Sequence, residues 1–345
     1  MIASALAPFT WACQVCLPFP EKSVADRLLA AETVVFAREN PEKPFSLRVV
    51  DVLKGKPASR DIDLFVNSGT RRILSNDPKR KLLCVYNPND KKNPWRRIGM
   101  TDTAGLYEPL VRKILTLAPE WKKKPESRPS FFARYLGDPD TQLRELAHLE
   151  LGRAPYSQIK SLENPLPPEK IRAFLNNFRY IEWHSLYILL LAQSPENQDH
   201  TYIREEAANA AKYGHSSQLS AWATAYIEID GTKAIQFYLD QYFQNPKRSP
   251  EEVAAVLSAF SLHAGTDNNE LREDLIKGYD IILTQRPVMA PIIAQDLIRW
   301  KRWDLVERVI AITGEDYLNL DFEAYLQLRA YRLKAGKNTS DSKAP

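Results

Sequence analysis

The chain has 345 residues, of which 44% are hydrophobic, and carries a formal net charge of +4. That length suits two domains, and that apolar fraction excludes wholesale disorder. Only 12 glycines argue against Gly-rich phosphate-binding architectures, and the chain holds no apolar run of about 18 residues, the length a membrane-spanning helix needs.

The charge is unevenly distributed. Up to Trp121 there are 19 Lys+Arg against 13 Asp+Glu, and beyond it 28 against 30. The near-neutral second part lacks the basic stripe of a nucleic-acid clamp, while the basic first part leaves a polyanion partner open. Met1 to Ala12 are small or apolar and uncharged, as expected of a shortened secretory signal. The expectation is a periplasmic or extracellular protein, with membrane attachment through the N-terminus as one variant. If no signal is processed, it is cytoplasmic.

Ser23 to Ala31 reads as a short helix. Strand-like alternation follows at Thr33–Arg38, Phe45–Leu53 and Ile62–Val66, with Lys54-Gly55-Lys56-Pro57 as a turn. Arg71–Leu74 and the apolar run Leu82–Tyr86 are further candidate strands. Ala104–Leu117 then forms a helix with Leu106, Leu110, Ile114 and Leu117 on one face. The prediction is a small antiparallel β-barrel over residues 13–121.

Residues 122–129, Lys122-Lys123-Lys124-Pro125-Glu126-Ser127-Arg128-Pro129, lack apolar periodicity and read as a linker. Residues 130–336 read as helices separated by breaks at Gly214, Gly231, Asn245-Pro246, Gly265 and Arg286-Pro287. Ile181, Trp183 and Leu186 to Ala192 form a helix that is apolar nearly all round, so it must be buried. Successive helix pairs that cannot bury their faces alone predict an all-α stacked solenoid. Residues 337–345 read as a disordered tail, and the whole as an α+β multidomain chain.

Leu136 to Gly152 carries Asp138, Pro139, Asp140 and Arg144 in the pattern of a turn leading into a helix, with Ala147 and Leu151 on its inner side. This segment resembles the second half of a HEAT repeat, which implies Asp-Pro capping, an arginine bonding back toward a neighbouring turn's carboxylate, and a protein-binding scaffold. The first region resembles the netrin-like domain of metalloproteinase inhibitors, an OB-type barrel. The carrying residues are Cys13-Gln14-Val15-Cys16, the phrase Ser23 to Ala37, the strand ending Val52-Leu53-Lys54-Gly55, and Cys84 within Leu82–Tyr86. Its Cys-x-x-Cys departs from the inhibitors' Cys-x-Cys.

Within that resemblance the preferred disulfide is Cys16–Cys84, contributing about 2–4 kcal/mol in an oxidising compartment. Cys13 is then free or processed. The competing reading pairs Cys13 with Cys16 as a thiol-redox module. No metal site is expected: His148, His184, His200, His215 and His263 form no pair at helical spacing. No cofactor motif and no nucleophile elbow is present, so no catalytic residue is assigned and the chain is read as not an enzyme. Arg71, Arg72, Lys79, Arg80, Lys81, Lys91, Lys92, Arg96 and Arg97 lie among the barrel strands, with Tyr86 and Trp95 interleaved. They are candidate contacts for single-stranded nucleic acid or an acidic polysaccharide. The leading functional expectation is a non-catalytic scaffold with a protein or envelope partner. Polyanion binding and an inhibitor-like or redox module are the alternatives.

Overall fold

The computed structural model describes residues 22–102, 105–162, 165–214, 217–264, 269–314 and 322–341. One compact unit spans Phe19–Ala154, and the other takes in Pro155–Pro345. Cys13, Cys16 and the segment before them lie outside the described residues.

The first unit opens with helix α1 (Val24–Ala30). Ser23 and Asp26 satisfy each other's backbone amides in a capping box at its start. Five strands follow: β1 (Thr33–Glu39), β2 (Leu47–Lys54), β3 (Asp61–Ile62), β4 (Leu82–Tyr86) and β5 (Trp95–Met100). They form one antiparallel sheet, order β3-β2-β1-β4-β5, curled into a half-barrel. Both β1 and β4 are apolar and buried along most of their length, as expected of strands at the middle of a sheet covered on both faces. Val35, Ala37, Leu47, Leu82 and Cys84 share one cluster with Leu74 of helix α2 (Ser68–Asn76).

Two elements differ from the sequence reading. Arg71–Leu74 belongs to α2 rather than to a strand, because the Asn67 side chain accepts the Thr70 amide at 2.8 Å and starts a helix there. Strand β5 lies where only basic loop residues were expected. It pairs along β4 from Leu82↔Met100 to Tyr86↔Trp95, with a bulge between Leu83 and Cys84.

Helices α3 (Tyr107–Lys123), α4 (Ser127–Ala133) and α5 (Thr141–Gly152) complete this unit. The stretch 122–129 therefore carries the end of one helix and the start of another. Lys122 and Lys123 occupy the last turn of α3, where cations complement the helix dipole.

Buried charge ties these helices to α1. Arg128 reaches Glu150 (2.7 Å) and Asp26 (2.6 Å), Arg153 also pairs with Asp26, and the Ser23 hydroxyl donates to Glu150. Burial pushes the Asp26 carboxyl up, but hydrogen bonds and charge from Arg128 and Arg153 outweigh it and hold the pKa below its ordinary value.

The second unit is helical. After α6 (Tyr156–Lys160) come five successive pairs: α7 (Pro168–Leu175) with α8 (His184–Leu191), α9 (Asn197–Tyr213) with α10 (Leu219–Asp230), and α11 (Thr232–Tyr238) with α12 (Pro250–Ala264). Then follow α13 (Asn269–Gln285) with α14 (Ala290–Trp300), and α15 (Val306–Gly314) with α16 (Phe322–Asp341). A 3₁₀ turn, Phe178–Trp183, leads into α8, and a π turn, Leu239–Phe243, extends α11. The second helices pack on one another, α8 on α10, α10 on α12 and α14 on α16, while the first helices α11, α13 and α15 form the other row. Ser261 of α12 bonds to Asp296 of α14 at 2.5 Å and continues the inner row. Helix α16 runs on through Asp341, over part of the expected tail.

Replacing Arg128 by Met leaves Glu150 buried without its cation and should cost about 3 kcal/mol in denaturant unfolding. Because Asp26 titrates lower when folded, its contribution is complete above its ordinary value of 3.8. It is lost as pH falls through the lowered folded value. The variant's stability should therefore fall less steeply than the wild type's below about pH 4.

Candidate interaction surface

The sheet unit does not gather the predicted basic residues into one patch. Thr33 faces Tyr86 and Ala37 faces Leu82, so the β1–β2 and β4–β5 turns lie at opposite ends of the sheet. Lys91, Lys92 and Arg96 sit at one end, and Lys79, Arg80 and Lys81 at the other. Several are also engaged: Arg71 with Glu39, Arg80 with Asp77 at 3.6 Å, Lys81 with Glu108 at 2.9 Å, and Arg96 with Asp90. Arg97 donates to the Thr70 hydroxyl at 2.9 Å. Arg72, Lys79, Lys91 and Lys92 are exposed.

One aromatic feature stands beside this set. Phe45 has φ +66°, a left-handed conformation that costs a bulky residue about 1–2 kcal/mol. Its amide donates to Glu39 (3.1 Å), its carbonyl accepts from Val66 (3.0 Å), and its ring stacks on Phe65 with Arg71 over it at 4.1 Å.

Other predicted residues have structural roles. Asp140 caps α5 by accepting the amides of Gln142 (2.8 Å) and Leu143 (3.1 Å), and Asp138 accepts the Asp140 amide. Pro139 completes that turn. Arg144 folds back onto the carbonyls of Asp138 (2.6 Å) and Pro139 (3.4 Å) of its own turn. Cys84 is a buried free thiol, and burial pushes it up to about 12, so it stays protonated at neutral pH. The expected pairing with Cys16 has no disulfide-capable partner among the described residues. His148 is pushed down to about 3 by burial and by Arg144, which makes it a neutral core residue.

Several polar groups inside the helical unit bond to one another. Burial keeps His263 neutral, with its Nε2 2.8 Å from the Thr224 carbonyl and its Nδ1 3.8 Å from Glu228. Glu228 also takes the Tyr156 hydroxyl (2.8 Å) and the Lys160 ammonium (2.7 Å). Asp296 accepts from Ser261 and Tyr279 (2.7 Å), and burial raises its carboxyl above the ordinary range. No group of three potential metal ligands occurs among the described residues.

The turns within each helix pair lie along one edge of the stack, because side chains tie each to the one before. Gln218 of the second such turn donates to the Ile181 carbonyl of the first at 3.3 Å. Arg248 of the third donates to the carbonyl of Ala211, near the end of α9. Arg286 of the fourth donates to the carbonyls of Phe243 (3.5 Å) and Asn245. A guanidinium suits this task, since its fixed fork reaches several orphan carbonyls at helix ends together.

Exposed large apolar residues gather on this edge. Phe178 (78% exposed) and Ile181 mark the first turn, Tyr213 the second, Val288 and Ile292 the fourth, and Phe322 (75%) the start of α16. The third turn interrupts the row with Lys247 and Arg248. Turns between pairs carry none of these residues among the described positions. There, salt bridges prevail: Arg172 with Glu196 and Asp199, Arg204 with Asp230, and Arg302 with Glu273. Sequence reading located the breaks at Gly214, Asn245-Pro246 and Arg286-Pro287, but it placed Ile181 in a buried helix, whereas Ile181 lies exposed in the 3₁₀ turn of the first pair. It also missed the large apolar residues of these turns, a signal available at Arg286-Pro287-Val288, where turn chemistry favours small and polar side chains.

No protein-family model, curated protein or solved structure matches this chain.

Arg286→Ala should cost about 1–2 kcal/mol, since two carbonyls lose their donor at a half-buried site. Chemical denaturation of the full chain measures it, and an unchanged midpoint would show that the clamp contributes nothing.

Proposed function

We propose that the helical unit is an α-solenoid scaffold, without catalytic activity, that holds a protein partner along its within-pair turn edge. The observation carrying this reading is the row from Phe178 through Tyr213 and Val288 to Phe322, confined to one edge while the other is charged. Water-exposed aromatic and branched side chains on the first, second and fourth turns form an apolar row broken by Lys247 at the third, and such apolar patches on otherwise polar surfaces mark contact sites. Rigid turns suit the task, because the surface needs no ordering when the partner arrives. The sheet unit has the strand order of an OB-type barrel opened between β3 and β5, with a helix between β3 and β4. This supports the netrin-like reading of its fold.

Polyanion binding through the sheet unit is the weaker alternative, since its cations are split between two ends and several are already paired. Stacked Phe45 and Phe65 under Arg71 are the feature that favours it.

One experiment separates the readings. A photo-crosslinker at Tyr213 should capture a defined protein from native cells. Replacing Phe178, Val288 and Ile292 by Ser should abolish capture, while Leu333→Ser, off the edge, should not. Capture that survives the triple substitution overturns the edge assignment. Heparin retention that requires Arg72, Lys79, Lys91 and Lys92, with no protein captured, favours the alternative.

A further inference from the structure

Helix α16 has two unlike faces. Leu328, Tyr331 and Ala335 are buried on the side that packs on α14 and α15. Tyr331 stacks on Trp303 and donates its hydroxyl to the Arg302 carbonyl at 3.1 Å, which fixes the helix in rotation. The opposite face carries Phe322, Leu326, Arg329 and Leu333. Their spacing of four, three and four residues puts them on one stripe of a helix with 3.6 residues per turn. Tyr325 and Arg332 flank the stripe. Leu333 is 57% exposed and Leu326 43%, and α16 holds more of the exposed large apolar side chains than any other described element.

Charge on this helix is as one-sided as its apolarity. Arg329, Arg332 and Lys334 are exposed, against one exposed carboxylate, Glu323, among the described side chains of α16. Arg329 and Arg332 meet no carboxylate among the described residues, whereas Arg302 and Arg308 of the preceding elements are held by Glu273 and Asp280. Two copies of this face would bring the cations together, so charge opposes self-pairing and favours an anionic surface. The place of Arg329 narrows the choice further. It interrupts the stripe between Leu326 and Leu333, so a rigid protein groove would need an acid set into its apolar floor at one point. A lipid surface supplies anions everywhere, and a long arginine bends out to them while its neighbours stay in the apolar layer.

We propose that the outer face of α16 rests on an anionic phospholipid surface, lying in its plane without crossing it. No described helix is long and apolar enough to cross a membrane. Phe322, Leu326 and Leu333 enter the acyl boundary, Tyr325 sits at headgroup level, and Arg329 and Arg332 donate to lipid phosphates. Attachment through one helix face is reversible. The inference does not rest on the protein-binding edge, which shares only Phe322 with this face.

Co-sedimentation of the full chain with vesicles of phosphatidylglycerol and phosphatidylcholine in equal parts, against phosphatidylcholine alone, tests it. Partition into the acidic vesicles should be at least about thirtyfold stronger, and about 0.5 M salt should remove most of that difference. Arg329→Gln with Arg332→Gln should lower partition into the acidic vesicles about thirtyfold, at roughly fivefold per cation, and leave the neutral vesicles unchanged. Leu326→Ser with Leu333→Ser should weaken partition into both about tenfold. All four side chains are exposed, so neither pair should shift the melting temperature. If one pair does, the other carries the test. Neither should affect protein capture at Tyr213, which separates this inference from the edge reading. Equal partition into the two vesicle types, no binding at about 1 mM acidic lipid, or unchanged binding in the variants would each overturn the proposal. A dimer that the leucine pair dissolves, without vesicle binding, would assign the face to a second copy instead.

Discussion

An α-helix that is apolar on every side cannot end at water, and this requirement organises the second half of the molecule. Leu186 to Leu191 of α8 are all buried, and each such side chain gains about 1.5–3 kcal/mol on leaving water. One neighbour cannot cover such a helix. It needs its own pair partner on one side and the next pair's second helix on another. Helix α10, with Ala221, Ala223 and Ala225 fully buried, meets the same requirement with small residues that allow close approach. Repetition of this solution produces two rows of helices and, with them, two sets of turns.

The two sets then solve the helix-end problem in different ways. Between pairs, Arg172, Arg204 and Arg302 meet carboxylates, so that edge is a surface of paired charge. Within pairs, Gln218, Arg248 and Arg286 donate to backbone carbonyls of the preceding pair, and Arg248 also meets Glu252. The two guanidinium groups are drawn inward, and the side chains left at the surface of those turns include Phe178, Tyr213 and Val288, with Lys247 at the third. An apolar strip and its polar support are thus two consequences of one local arrangement. The sheet unit spends its charge differently, with Arg128 buried between Asp26 and Glu150 to hold α1 against α4 and α5.

Much of the helical layout was legible in the sequence, because apolar periodicity and breaks at Gly214, Gly231 and Asn245-Pro246 are local signals. Strands β1 and β4 were legible for a similar reason, being short continuous apolar runs. Helix α2 was not, since Arg71–Leu74 is too short to show a period and the deciding residue, Asn67, acts through a cap just outside it. Strand β5 was hidden by Arg96-Arg97, whose side chains look like loop residues until β4 supplies the ladder. The clustering of turns on one edge belongs to tertiary structure alone. No local pattern states that Arg286 will find Asn245, 41 residues earlier in the chain.

The most direct test is a set of distances along that edge. Spin labels at Phe178, Lys247 and Val288 occupy the first, third and fourth within-pair turns, and stacked helices lie about 8–10 Å apart. Pulsed dipolar spectroscopy should give about 20 Å between the first and third turns and about 30 Å between the first and fourth. A first-to-fourth distance no longer than the first-to-third would mean that the turns do not run along one edge, and the contact surface built on them would not exist.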